Sequence, residues 1–332
     1  MEFRKKIDIP KSDLKIDHKS NIVLFGSCFS ENIGEKLLNN KFRVDVNPFG
    51  VLYNPSSICQ AIDLLMSEKD FSEEDIIEHQ GVYHTFFHHS EFSDTDRNSF
   101  LQKINQRREE SSDNLNKADT MLITFGTAYV FNHKETGRVV ANCHKFPASE
   151  FDRYRLTTDS IVGMWSDLIE RLREINPSLQ ILFTVSPIRH WKDGAHNNQL
   201  SKAILLLAID ELINKYSGLH YFPSYEIVLD ELRDYRFYAE DMLHPNPTAI
   251  EYIWEIFSDT YFDEKTKQIN KEWQTIRKAI GHRPFNPDTE DHKHFLRQTL
   301  LKINELQKKY SYFDVEKEVN FLTQKLMNDS RS

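Results

Sequence analysis

Two short stretches, far apart in the chain, hold residue types that could do acyl chemistry together. FGSCFS sets two nucleophiles, Ser27 and Cys28, side by side behind Gly26. DMLH sets Asp241 three residues ahead of His244. Across one turn of loop the carboxylate can fold back on the imidazole and hold its tautomer, leaving the other ring nitrogen to face a nucleophile. Four further loop clusters are polar or glycine-bearing: Gly50 in NPFGVLYNP, Gly126 in TFG, Asn142 to Lys145 in NCHK, and Arg189-His190 in SPIRH. Together these could supply a nucleophile, a base, an orienting carboxylate and donors to an oxyanion. His144, Arg189 and His190 are candidates to bind substrate, Arg189 and His190 through an acidic group.

The elements that must position these residues alternate. Ile22 to Phe25 is a short apolar run, the pattern of a buried parallel strand. Gly26 permits a sharp turn. Phe29, Ile33 and Leu37 then recur as one stripe of a helix. Ser27 and Cys28 therefore fall at the carboxyl end of a strand and the amino end of a helix. Open α/β sheets place ligand crevices there, and helix amides there favour an anion. Further strands are predicted at 42–46, 121–125, 179–185 and 220–228. Helices are predicted from a Ser56 or Ser57 cap to Met66, over 159–175 and over 199–216. Another starts after Asn246-Pro247, with Ile250, Ile253, Trp254 and Phe257 as its buried stripe. This alternation predicts a doubly wound α/β domain with every candidate cluster in a loop after a strand.

Three stretches do not fit the alternation. Residues 68–118 read as an insertion beside the sheet, with a polar helix near 95–116 and four histidines, His79, His84, His88 and His89. These could bind metal, but without a carboxylate or cysteine at ligand spacing they read instead as an aromatic-rich wall or lid. The segment IRHWKDGAHNN reads as a mobile polar loop. From residue 263 the strands stop, and helices are predicted near 264–281, 288–309 and 315–328, with Leu296, Leu300, Ile303 and Leu306 on one apolar face. This helical extension of the 1–262 domain would pack on the core or on a partner, so an oligomer could form through it.

Composition narrows the function classes. The chain has 332 residues, 39% hydrophobic and 28% charged, which suits a globular protein. A net charge of −9 without long like-charge runs argues against capture of nucleic acid or an anionic membrane. Three cysteines are too few for a disulfide framework, and no CxxC is present for a zinc ribbon. The first twenty residues lack the apolar core of a signal peptide, and no run of about 18 apolar residues appears. The expectation is a reduced, cytoplasmic protein without metal or other cofactor.

FGSCFSENIG, NPFGVLYNP, TFG, NCHKFP, SPIRH and DMLHPNP, in this order, resemble the motifs of the GSCFA family, a branch of the SGNH (GDSL-like) hydrolase superfamily. The resemblance spans roughly residues 1–262, and the tail also looks like GSCFA proteins. It implies a flavodoxin-like three-layer α/β/α sandwich with a central, mostly parallel sheet, and an esterase-type relay. By that resemblance Asp241 and His244 match the final Asp-x-x-His, Gly50 the glycine whose amide helps bind the oxyanion, and Gly126 the glycine opening the third block. The superfamily expects Gly-x-Asn there, whereas this chain has Gly126-Thr127-Ala128, so Asn142 is the nearest substitute. FGSCFS set ungapped against FGDSLS puts Cys28 opposite the serine nucleophile; a one-residue slip puts Ser27 there. The implied function is an acyl-ester hydrolase or acyltransferase acting on a small-molecule or carbohydrate ester. The departures leave open a binding or scaffold protein on a degenerate hydrolase fold.

Overall fold

The computed structural model describes residues 5–67, 69–286 and 289–328. Strand β1 (Asn21–Gly26) leads into helix α1 (Cys28–Asn39), β2 (Arg43–Val46) and α2 (Pro55–Met66). A short hairpin, β3 (Ile77–His79) and β4 (Val82–His84), precedes α3 (Arg97–Asn116) and β5 (Thr120–Phe125). β6 (Tyr129–His133), β7 (Arg138–Val140) and β8 (Phe151–Arg155) form a small antiparallel sheet in the order β7-β6-β8. Then come α4 (Thr158–Ile175), β9 (Gln180–Val185), α5 (Gly194–Lys215) and β10 (Leu219–Phe222). After β10 a short helical turn, α6 (Ser224–Glu226), runs into one π-helical turn, and α7 (Pro247–Tyr261) closes the domain.

The central sheet has the order β2-β1-β5-β9-β10, with every pair parallel. Numbered by appearance within that sheet this is 2-1-3-4-5, the flavodoxin-like order, with its switch point between β1 and β5. Side chains alternate between the two faces, as strand geometry requires. Ile22, Leu24, Leu122 and Leu182 join Phe29, Ile33, Ile253 and Phe257 under α1 and α7. Val23, Phe25, Met121, Ile123 and Phe183 join Ile62, Trp165, Leu168 and Ile209 under α2, α4 and α5. Three layers result.

The helix of the supposed insertion belongs to that second layer. Phe100, Ile104 and Leu115 of α3 are buried in the same core as Val23 and Phe25. The same stripe carries Arg108 and Ser111, also buried, which breaks the apolar pattern in the sequence. Arg108 is tied to Asp70 at 2.5 Å and to the Ser67 carbonyl at 3.2 Å. Three other boundaries differ from expectation. Asn54, not Ser56 or Ser57, caps α2, with Pro55 at its first position. The last strand stops at Phe222, because Pro223 cannot donate to a ladder and the chain turns helical. Part of the IRHWKDGAHNN segment is helical, since α5 already starts at Gly194.

The tail forms α8 (Glu264–Ile280), α9 (Glu290–Lys309) and α10 (Glu316–Asn328), with its own core of Trp273, Leu296, Ile303, Phe313 and Leu322. The expected start of the second tail helix at 288 lies outside the described residues. The tail is fastened to the β1–α1–β2 unit by polar contacts. Trp273 Nε1 donates to the Asn39 carbonyl at 2.8 Å, and Lys41 pairs with Glu318 at 2.8 Å. His18, 1% exposed, lies between Phe42 and Phe313, and its Nε2 reaches Asn270 Oδ1 at 3.0 Å and the Asn40 carbonyl at 3.1 Å. Both partners accept, so Nε2 carries the proton, and Nδ1 has no partner among the described residues.

Burial pulls the His18 imidazole down from 6.5 to about 4, because a second proton on Nδ1 would find neither water nor an acceptor. The folded chain takes that proton only near pH 4, whereas the unfolded chain takes it near 6.5. His18 therefore leaves stability intact above pH 6.5 and erodes it as pH falls towards 4, by an amount on the order of 3 kcal/mol. Buried His88 and His144 and half-buried His190 have the same sign. Thermal melts between pH 7 and 4 should fall steeply in the wild type and less steeply in His18→Gln. Parallel curves would remove His18 as a source of the acid sensitivity.

Candidate functional site

The loops at the carboxyl ends of β1, β5 and β9 surround one cleft of about 810 Å³. Its wall includes Ser27, Cys28, Tyr53, Asn54, Arg189 and His244. It opens at the edge of the sheet where the strand order reverses, the place where open α/β sheets bind ligands.

The Gly26–Cys28 turn is fixed by contacts that tolerate no side chain at Gly26. Its φ is +146°, and an added Cβ would lie 2.4 Å from the Thr124 carbonyl and 2.8 Å from Ser30 Oγ. The Gly26 amide donates to Asn47 Oδ1 at 3.0 Å, and its carbonyl accepts from Leu52 at 3.0 Å. Ser30 Oγ in turn donates to the Phe25 carbonyl and lies 2.7 Å from Thr124 Oγ1. So β1, β5 and the loop after β2 all grip the same turn.

The two adjacent candidates differ in their surroundings. Ser27 is the N-cap of α1 and only 1% exposed; its Oγ accepts from the Phe29 amide at 3.4 Å. Cys28, at the first helical position, is half-buried. Tyr53 stands beside it on the cleft wall and acts to lower the thiol. Burial first, and the nearby Glu31 carboxylate second, push the thiol above its ordinary value. Those two effects outweigh the lowering by Tyr53 and by the residue's own backbone amide, so the resting sulfur is a thiol.

Asp241 and His244 form the expected pair. His244 Nδ1 lies 2.5 Å from Asp241 Oδ2, and the Leu243 and His244 amides both donate to Oδ1 at 2.9 Å. The amides of His244 and Leu243, then the imidazole, hold the Asp241 carboxyl down at about 2. A carboxylate on Nδ1 fixes the Nδ1–H tautomer and leaves the Nε2 lone pair free. Met242, between the two, sits at φ +59°, a left-handed conformation that costs on the order of 1 kcal/mol for such a residue. His244 lines the cleft, while Asp241 lies behind it on the adjoining groove.

The structure distributes the other predicted residues more widely. Arg189 and His190 line the cleft. His190 packs edge-on against Tyr53, and burial lowers its imidazole to about 4. Asn142 also lines the cleft, but both ends of its amide are used: Nδ2 donates to Ser90 Oγ at 3.0 Å and Oδ1 accepts from the His144 amide at 2.9 Å. Gly50, Gly126 and His144 stand off the wall. The Gly50 amide donates to the Asn47 carbonyl at 2.8 Å, and the Gly126 amide to the Tyr53 carbonyl at 2.8 Å, so neither N–H points to an oxyanion. Both glycines serve the backbone path instead. His144 is 5% exposed, stacks on His84 at 4.2 Å and donates to the Thr85 carbonyl, which makes it a core residue. His79 and His88 are likewise packed on aromatic rings, and no group of three or more metal-ligating side chains is found among the described residues.

Three contributors were not read from the sequence. Tyr53 and Asn54 line the cleft beside Cys28. Lys202 is fully buried and donates to the carbonyls of Gly126 and Ser186, both at 2.6 Å, tying the ends of β5 and β9. Burial lowers its amine to about 7; the neutral amine has two N–H bonds, and two carbonyls accept them. Each had a signal. Asn54-Pro55 repeats the cap-then-proline pattern of Asn246-Pro247. Lys202 lies on the apolar stripe of α5 with Leu205, Ile209 and Leu212, where a lysine has to find partners.

The class so far is a flavodoxin-like sandwich with Ser27, Cys28 and His244 on one cleft and Asp241 behind His244. The profile of the GSCFA family matches residues 21–257, and that of the "GSCFA domain protein, C-terminal domain" matches residues 273–328. The chain belongs to the GSCFA family. No curated protein matches it. Among solved structures it is similar to a protein from Streptococcus pneumonia provisionally described as a platelet activating factor. The TM-score is 0.38 at 10% identity, covering 75% of this chain and 85% of that one. It is also similar to the acetyl xylan esterase Est2A from the rumen bacterium Butyrivibrio proteoclasticus, at TM-score 0.36 and 10% identity, covering 76% of this chain and 64% of that one. No helix among the described residues is long and apolar enough to cross a membrane.

Gly26→Ala should lower stability by more than about 2 kcal/mol, since the new methyl meets backbone on one side and strained φ on the other. Denaturant unfolding measures this. A variant as stable as the wild type would show that the turn can move.

Proposed function

We propose that this protein is an acyl-ester hydrolase or acyltransferase that works through a covalent acyl-enzyme. The observation that carries this reading is the single cleft shared by the nucleophile turn and an imidazole whose far nitrogen is held by Asp241. Both residues line the cleft, but Cys28 is the better placed nucleophile, being half-buried where Ser27 is 1% exposed and engaged as a helix cap. Because the thiol is protonated at rest, it needs a base. His244 Nε2 takes the thiol proton as sulfur attacks the acyl carbonyl, and the carbonyl π pair moves onto oxygen. Collapse of that adduct expels the alcohol, which leaves with the proton from His244, and a thioester remains. Water or an acceptor alcohol, deprotonated by the same imidazole, then releases the acyl group. Asp241 keeps its charge throughout and stabilises the imidazolium.

The cleft favours an ester on a carbohydrate with an acidic substituent. Tyr129, Phe131 and Trp191 on its wall offer flat apolar faces. Arg153 is paired with Asp193 and stacked on Tyr129, but Arg189 and Lys192 have no ion-pair partner among the described residues. Free guanidinium donors beside a catalytic imidazole suit a carboxylate or a phosphate.

Intact-mass analysis after mixing with an activated acetyl ester should show an added acetyl group on the wild type and on Ser27→Ala, and none on Cys28→Ala. The opposite pattern would assign attack to Ser27. In steady state, His244→Ala should lose at least about 1000-fold in kcat/KM. Equal rates for both proteins would leave a binding protein on a hydrolase frame. Arg189→Ala should raise KM about 10-fold for an ester carrying a carboxylate and leave a neutral ester unchanged; equal effects on both would remove the acidic-substrate reading.

A further inference from the structure

Resting on that reading, we propose that the side-chain amide of Asn54 donates the hydrogen bond that stabilises the oxyanion. The attack described above places a full negative charge on the former carbonyl oxygen, and that charge needs a donor fixed in advance. The residues first in line are committed elsewhere: the Gly50 and Gly126 amides to carbonyls, and both ends of Asn142 to Ser90 and His144.

Asn54 is not committed, and its orientation is determined. As the N-cap of α2 it accepts from the Ser57 amide through Oδ1 at 2.8 Å. An N–H can only be met by the oxygen end, so the flip of the amide is settled by chemistry. Nδ2 is thereby turned away from the helix, and no group among the described residues accepts from it. Asn54 is 6% exposed and lines the cleft with Cys28 and His244. A buried amide with one end locked and two donor hydrogens facing a reaction cleft is poised to meet an anion. The backbone on either side is rigid: the Tyr53 carbonyl accepts from both Gly126 and Thr127, and Pro55 fixes the next φ. During attack Nδ2 donates to the growing oxyanion; when the adduct collapses, the pair returns to re-form the carbonyl and the bond weakens. The amide exchanges no proton.

The two roles of Asn54 can be separated. Asn54→Asp and Asn54→Ser both keep an acceptor for the Ser57 amide, so α2 stays capped, and both remove the amide donor. The expected result, with an activated ester as substrate, is kcat lower by about 100- to 1000-fold, KM changed less than threefold and Tm unmoved. Asn54→Ala should lose the same rate and also lower Tm. Wild-type kcat in both capped variants would reduce Asn54 to a helix cap and overturn the proposal. The hydrolase reading would still stand if His244→Ala were dead in the same assay. Wild-type protein without any His244-dependent turnover would overturn both.

Discussion

The close approach of β1 to β5 at Gly26 is the constraint on which the site depends. The Thr124 carbonyl and side chain occupy the space where a Cβ would be, and the Ser30–Thr124 contact locks the first turn of α1 to the neighbouring strand. This is the switch point of the sheet, so the loops after β1, β5 and β9 are free to diverge there and leave a crevice. Asn47 extends the same lock to β2. It accepts from Gly26 with its side chain and donates to Leu24 with its amide, from a left-handed φ of +45°. The loop that carries Tyr53 and Asn54 therefore starts from the nucleophile turn itself. A displacement of one would displace the other.

Much of this frame was legible in the chain because it is built from apolar periodicity. The run Ile22 to Phe25 and the stripe Phe29, Ile33, Leu37 have one physical reading each, and the structure has that strand and that helix. The cap-then-proline signal gave α7 its start at Pro247. What escaped reading is where polar groups do the work of apolar ones. Arg108 and Ser111 sit inside the stripe of α3, and Lys202 inside that of α5; burial patterns cannot be counted when the buried residue is charged and its partners are backbone carbonyls. The oxyanion assignments to Gly50 and Gly126 show a second limit. A glycine in a loop announces a backbone conformation, but where its N–H points depends on which carbonyl is nearest, and those carbonyls belong to Asn47 and to Tyr53. The histidine-rich stretch likewise reads alike for a wall and for a ligand set until ring stacking is seen.

For the proposed reaction, the electrostatics of the cleft give the imidazole–carboxylate pair a specific task. A thiol at a helix N-terminus is commonly acidified and attacks as a ready thiolate. In this chain burial and Glu31 act against the helix and raise the thiol instead. In the proposed reaction Cys28 would therefore attack only if its proton leaves in the same step. Asp241, held near 2 by two backbone amides and the imidazole and set on the adjoining groove, would stay charged as His244 becomes cationic.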